Sequence, residues 1–145
     1  GFRARANFKP LNNLNFSLQY GYRYRKGDVK PGTNYGANLG YSMLPMLEYS
    51  ANVSFNRIIS SYVDGYIYSA NLSKSIYSLR SDLSFGFRKT IYNFSSGIDK
   101  LEENAVLIDL SLNVFKPFSL SISYEGVFES TNTTGRILFD LTTRF

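Results

Sequence analysis

The sequence predicts an all-β fold: a single domain over residues 1–145, built as an antiparallel up-and-down run of about nine strands. Three observations carry that prediction. Apolar and polar residues alternate with a period of two through nine successive segments, the mark of strands with unlike faces. There are 12 Tyr and 12 Phe but no Trp, and aromatic side chains suit a pleated surface better than a helix. Tight links fall near Pro10–Asn13, Leu44–Leu47, Ser75–Ser78 and Lys116–Pro117. Three of the four contain proline, which cannot donate to a ladder and so sits at strand ends.

Taken in order, the first segment sets Phe2, Ala4, Ala6 and Phe8 against Arg3, Arg5, Asn7 and Lys9. The second sets Leu14, Phe16, Leu18, Tyr20, Tyr22 and Tyr24 against Asn15, Ser17, Gln19, Gly21, Arg23 and Arg25. The third has Tyr35, Ala37, Leu39, Tyr41 and Met43 opposite Gly36, Asn38, Gly40 and Ser42. In the fourth, Tyr49, Ala51, Val53 and Phe55 face away from Ser50, Asn52, Ser54 and Asn56. The fifth runs Tyr66, Tyr68, Ala70 and Leu72 against Ser69, Asn71 and Ser73, with Ile67 breaking the rule. The sixth has Leu79, Leu83, Phe85 and Phe87 against Arg80, Asp82, Ser84, Gly86 and Arg88. Ile108, Leu110, Leu112 and Val114 make the apolar side of the seventh; Phe118, Leu120, Ile122 and Tyr124 make that of the eighth. The ninth carries Ile137, Phe139, Leu141, Thr143 and Phe145 on one side and Arg136, Leu138, Asp140, Thr142 and Arg144 on the other.

Longer polar links are expected at Lys26–Asn34, Ile58–Gly65, Asn93–Asn104 and Ser130–Gly135. Short turns at one end and longer loops at the other describe a meander.

Composition narrows the environment. Hydrophobic residues make up 43% of the chain and mean hydropathy is −0.19. The longest apolar runs, such as Ala105-Val106-Leu107-Ile108, fall far short of the ~20 residues of a spanning helix. The polar sides of the middle segments are rich in Ser, Asn and Gly rather than the Lys and Glu that usually face bulk water. On the apolar sides, rings gather towards strand ends: Tyr20, Tyr22, Tyr24, Tyr66, Tyr68 and Phe128 at one end, and Phe8, Tyr49, Tyr77 and Phe118 at the other. Ala, Val, Leu and Ile lie between. Such banding resembles the two aromatic girdles of a membrane barrel, where amphipathic rings sit at the lipid–water interface; the other reading is that tyrosines are simply good strand formers.

These features together resemble bacterial outer-membrane β-barrels, and the last ten residues, RILFDLTTRF, resemble the C-terminal strand of that class. The resemblance implies a transmembrane β-barrel in a bacterial outer membrane with a periplasmic C-terminus. It also implies that Ile137, Phe139, Leu141 and Phe145 act as the signal read by the barrel-assembly machinery. The bilayer and lipopolysaccharide would then be partners, with Lys26, Lys30, Lys89 and Lys100 near the outer rim. No narrower family follows. Single-chain bacterial barrels have even strand numbers, so nine visible strands imply a ten-stranded barrel, a larger one of which this is the C-terminal portion, or a miscount near Ile58–Ile76. The chain opens on what already reads as a strand, which favours the larger barrel, with further strands or subunits as partners.

The net charge is +5. Arg3, Arg5, Arg23, Arg25, Arg80 and Arg88 all fall on the polar side and are the candidate lumen-lining cations. They either favour anions and grip a plug, or pair with Asp82, Asp109, Glu125, Glu129 and Asp140 in a structural charge ladder. The leading function is a pore or transport component with a polar, mildly basic lumen. An assembly anchor with a filled lumen is the alternative, and a soluble ligand-binding barrel the second.

No enzyme is expected. There is no Cys and no His, which removes histidine-based triads and thiolate or imidazole metal sites. The acidic group Asp99, Glu102 and Glu103 lacks regular cation-loop spacing, so no cofactor or metal is indicated. Nucleic-acid binding is not expected either, because the arginines are spread over many strands and lie on the side opposite most aromatics.

Overall fold

A computed structural model describes residues 1–42, 49–76, 80–95, 100–115, 118–129 and 132–143. Nine strands follow one another: β1 (Phe2–Leu11), β2 (Leu14–Arg23), β3 (Gly32–Tyr41), β4 (Tyr49–Ile59), β5 (Val63–Ile76), β6 (Ser81–Phe94), β7 (Leu101–Phe115), β8 (Phe118–Glu129) and β9 (Thr133–Thr143). Each pairs antiparallel with the next, in the order β1 to β9, giving a single nine-stranded meander. The sheet is not closed into a barrel: among the described residues β1 and β9 each have one neighbour.

The register sets like against like over the middle of the strands. Phe2, Ala4, Ala6 and Phe8 stand opposite Tyr22, Tyr20, Leu18 and Phe16, while Arg3, Arg5 and Asn7 stand opposite Gly21, Gln19 and Ser17. A one-residue slip would exchange the faces wholesale, so the alternation itself selects this pairing. The same matching runs to the other edge, where Leu120, Ile122 and Tyr124 meet Leu141, Phe139 and Ile137.

The strands are longer than the pattern predicts. β5, β6 and β7 reach 14, 14 and 15 residues, running into segments that read as loops. The β4–β5 link shrinks to Ser60–Tyr62, where the Ser60 hydroxyl accepts from the Tyr62 and Val63 amides at 3.2 and 3.1 Å. The tight link expected at Leu44–Leu47 lies outside the described residues. Connection length therefore separates the two ends of the sheet less cleanly than expected. Ladder hydrogen bonds extend wherever both backbones stay extended, whether or not the side chains alternate. We call the end bearing the β2–β3 link upper, and the end bearing the Asn12–Asn13 turn lower.

Among the described residues no second layer covers either face. Ala105 is the one buried hydrophobic residue among those described. On the apolar face Leu18, Leu39, Val53, Phe85, Ile108 and Phe139 are between 39% and 71% exposed. Rings on that face pack sideways instead: Tyr20 with Tyr35 at 5.2 Å, Phe55 with Tyr68 at 5.1 Å, and Phe8 with Phe16 at 6.3 Å. Charged residues enter the apolar face only towards its ends. At the upper end Arg57 pairs with Asp64 at 3.0 Å and lies 4.8 Å from the Tyr66 ring, and Lys89 pairs with Glu102 at 2.6 Å. At the lower end Lys74 caps the Tyr49 ring at 4.8 Å.

Candidate functional site

The polar face is the candidate site, and it is assembled row by row across the strands. Its short side chains lie flat and bond sideways. Arg5 donates to Gln19 at 3.1 Å, and Gln19 donates to Asn56 at 3.0 Å. That second bond passes over β3 at Gly36, where a Cβ would come within 2.5 Å of the Gln19 side chain and 2.7 Å of Asn56 Oδ1. Glycine is required there by close approach. Asn38 and Asn52 exchange amide hydrogen bonds at 2.9 and 3.3 Å, and the Ser54 and Ser69 hydroxyls meet at 2.7 Å. Further along, Ser75 donates to Asp82 at 2.6 Å and Ser84 to Asp109 at 3.0 Å.

The six candidate cations separate into three groups. Arg3, Arg5 and Arg23 stand together on the polar face of β1 and β2, opposite Gly21, Gln19 and Gly32. Among the described residues none of the three has a carboxylate partner. Arg88 sits on β6 within 3.4 Å of Glu103 and 3.7 Å of Glu125, and Arg136 donates from Nε to the same Glu125 at 2.7 Å. Arg25 and Arg80 lie outside the strands. The Arg25 carbonyl closes a turn by accepting from the Asp28 amide at 3.1 Å, and Arg80 adopts φ 48° just before β6.

The face is thus electrically divided. By alternation β1 and β2 present Arg3, Arg5, Lys9 and Arg23 with no carboxylate, whereas β6 to β9 present Asp82, Glu103, Asp109, Glu125, Glu129 and Asp140 against Arg88 and Arg136. β3 to β5 between them are neutral. Of the five carboxylates expected in a charge ladder, Glu125 meets Arg88 and Arg136, alongside Glu103, which was not among them. Asp82 and Asp109 accept from serines instead, and Glu129 and Asp140 meet no cation among the described residues.

One feature of this face escaped the alternation rule. Ile58 and Ile67 point to the polar side, together with Tyr92, Phe94 and Leu101, forming an apolar strip near the upper end. Tyr92 lies over Gly65, its ring atoms 2.5 Å from where a Cβ would be, and its centroid is 6.3 Å from that of Phe94. The break at Ile67 was the visible signal of this strip; its companions were hidden in segments read as loops.

The other expected sites are placed as follows. Ile137, Phe139 and Leu141 share the apolar face of β9, while Phe145 lies outside the described residues. Of the acidic loop group, Glu102 is held by Lys89 and Lys100 at 2.6 and 2.9 Å, and Asp99 lies outside the described residues. No group of three or more potential metal ligands occurs among the described residues. No protein-family model, curated protein or solved structure matches the chain.

Proposed function

We propose that this chain forms the wall of a transmembrane β-barrel in a bacterial outer membrane, with its polar face lining a water-filled path for small solutes. One observation carries the reading: a broad apolar face with no protein layer over it, backed by a hydrogen-bonded polar face. Contiguous apolar surface of that extent needs a covering medium, and hydrocarbon is the medium that matches a strand alternating apolar-out and polar-in.

The dimensions support it. On β4 the apolar stretch runs from Arg57 to Tyr49, eight residue steps, or about 27 Å along the strand at ~3.4 Å each. The rims are also oblique. The cross-strand row through Leu18 reaches Ala37, Phe55, Tyr68 and then Lys89, so a row two to four residues below the Tyr20–Tyr22 rim on β2 is already at the rim on β6. The lower rim descends in the same sense, since the row through Leu14 reaches Leu72, two residues above Lys74. With strands ~4.8 Å apart, that slope is about 20–40°, overlapping the strand tilt of membrane barrels. At such a tilt the apolar band is about 24 Å tall, near the ~25 Å of outer-membrane barrels.

Short Ser, Asn and Gly side chains bonded sideways leave the space above them open, which favours a path over a side-chain-filled anchor. β1 and β9 run in the same direction, so direct closure would pair them parallel. An antiparallel closure takes an odd number of additional strands, which also satisfies edge groups that lipid cannot. Lys89 and Lys100 share the single Glu102 carboxylate at the upper rim, leaving a positive charge at the level of lipopolysaccharide phosphates. The C-terminus is periplasmic on this reading, and β9 presents Ile137, Phe139 and Leu141 to the assembly machinery.

Reconstitution into planar bilayers tests the proposal. Discrete conductance steps are expected. A protein that enters lipid vesicles but never conducts is an anchor, and one that stays monodisperse without detergent and ignores vesicles is not a membrane barrel.

A further inference from the structure

At the upper end of β1 to β4 an open cleft of about 680 Å³ wraps the end of the sheet, lined on the polar side by Arg3, Arg23, Asn34 and Ile58 and on the apolar side by Phe2 and Tyr22. Three properties of the cleft converge on one class of ligand.

The first is concentrated positive charge. Arg3 stands opposite Gly21, and Arg23 is two positions along the same face of β2, so the two stems start about 7–8 Å apart. Neither guanidinium meets a carboxylate among the described residues. Gly21 leaves a notch between Arg3 and Asn34, since a Cβ there would meet nothing nearer than Asn34 Cβ at 3.7 Å. A guanidinium fork matches a carboxylate in shape and charge.

The second is an unsatisfied amide. Asn34 Oδ1 is buried without a hydrogen-bond partner, a state that costs free energy until a ligand or solvent completes it. The oxygen and nitrogen of that amide are interchangeable by a flip, and in the flipped orientation its N–H can donate to an anionic head, which the accepting oxygen cannot.

The third is apolar surface in the same row. Asn34 pairs with Ile58, Ile58 with Gly65, and Gly65 with Tyr92, whose ring lies back over the glycine. Read across the sheet, the row is Arg3, Gly21, Asn34, Ile58, Gly65, Tyr92: cationic at one end, amide in the middle, apolar at the other.

We infer that this row binds a small amphiphilic carboxylate, its anionic head held by Arg3 and Arg23 beside Asn34 and its apolar body lying over Ile58 towards the Tyr92 ring. The inference rests on the polar face being the solute-facing one. It does not require that the sheet conduct.

Calorimetric titration of the full folded chain in detergent, against blank micelles, with phenylacetate, acetate and phenylacetamide tests it. Phenylacetate is expected to bind at least tenfold more tightly than either comparison compound, since each lacks one half of the recognition. Arg3→Gln with Arg23→Gln should weaken phenylacetate at least tenfold, and Arg3→Lys with Arg23→Lys should recover part of that loss. Both arginines are exposed, so strand content by circular dichroism should not change. Ile58→Ser should weaken phenylacetate severalfold and leave acetate unchanged. Equal affinity for acetate and phenylacetate, no binding of phenylacetate, or full affinity in the double glutamine variant would each overturn the inference. Conductance without phenylacetate binding defeats this site alone; binding without conductance defeats the pore alone.

Discussion

β1–β3 and β6–β9 share one sheet, one alternation and one polar face, yet they handle charge in opposite ways. On β1 and β2 the cations Arg3 and Arg23 stand without carboxylate partners, and Arg5 is tied to the neutral Gln19. On β6 to β9, Arg88 and Arg136 are locked to Glu103 and Glu125. One region bonds chiefly through amides and leaves Asn34 Oδ1 unpaired, and the other bonds chiefly through ion pairs. The difference teaches that charge on this face has two uses. Paired charge in β6–β9 holds neighbouring strands together, while unpaired charge in β1–β2 is available to something that is not part of the sheet.

The comparison applies to the polar face alone, which the largest predicted effect can check. Leu18→Arg on β2 and Ile108→Arg on β7 both place a cation in the middle of the apolar band. Each should lower the folding free energy in lipid by about 2–4 kcal/mol, read from denaturant midpoints in vesicles. A cost at one position only would mean that the two halves differ on the apolar face as well.

Next in size, Glu125→Gln should cost about 1–3 kcal/mol, because Arg88 and Arg136 both lose their shared carboxylate, whose side chain is 19% exposed. Arg5→Gln, the matching loss of charge in the other half, should stay within about 0.5 kcal/mol. Equal losses in chemical denaturation would erase the distinction.

A subtler contrast lies in the glycines. Gly36→Ala in β3 should cost about 1–2 kcal/mol, since the new methyl displaces the Gln19–Asn56 bridge. Gly86→Ala in β6 meets Leu107 Cβ at 3.4 Å, and the gain in backbone stiffness should bring its net effect to within about 0.5 kcal/mol of zero.

The smallest effect in energy is the most informative about the path. Replacing Arg3, Arg5 and Arg23 with Gln should shift the reversal potential in a salt gradient towards cations. Asp82→Asn with Asp140→Asn should shift it the other way. Identical behaviour of the two variants would show that ions do not pass along this face.

Most of the architecture was legible in the residues. The period of two located all nine strands, because in a single sheet each side chain faces one of two media and the chain must sort them. Strand ends were less legible. β4 to β7 run on through segments where Ile58, Ile67, Leu101 and Glu102 break the alternation, since backbone pairing continues where side-chain sorting has relaxed. Of the candidate site, the polar side of Arg3, Arg5, Arg23 and Arg88 could be read from position along a strand. Which of them find a carboxylate could not. Arg88 meets Glu103 because β7 lies beside β6 in a particular register, and Glu125 joins them from β8.

The residues by themselves determined which atoms face which side, because side-chain direction along an extended backbone is a local property. Only the tertiary structure decided who stands beside whom. Neighbours across this sheet come from consecutive strands, but the register of their pairing sets the distances that govern whether a guanidinium is neutralised by a carboxylate or left to meet a solute.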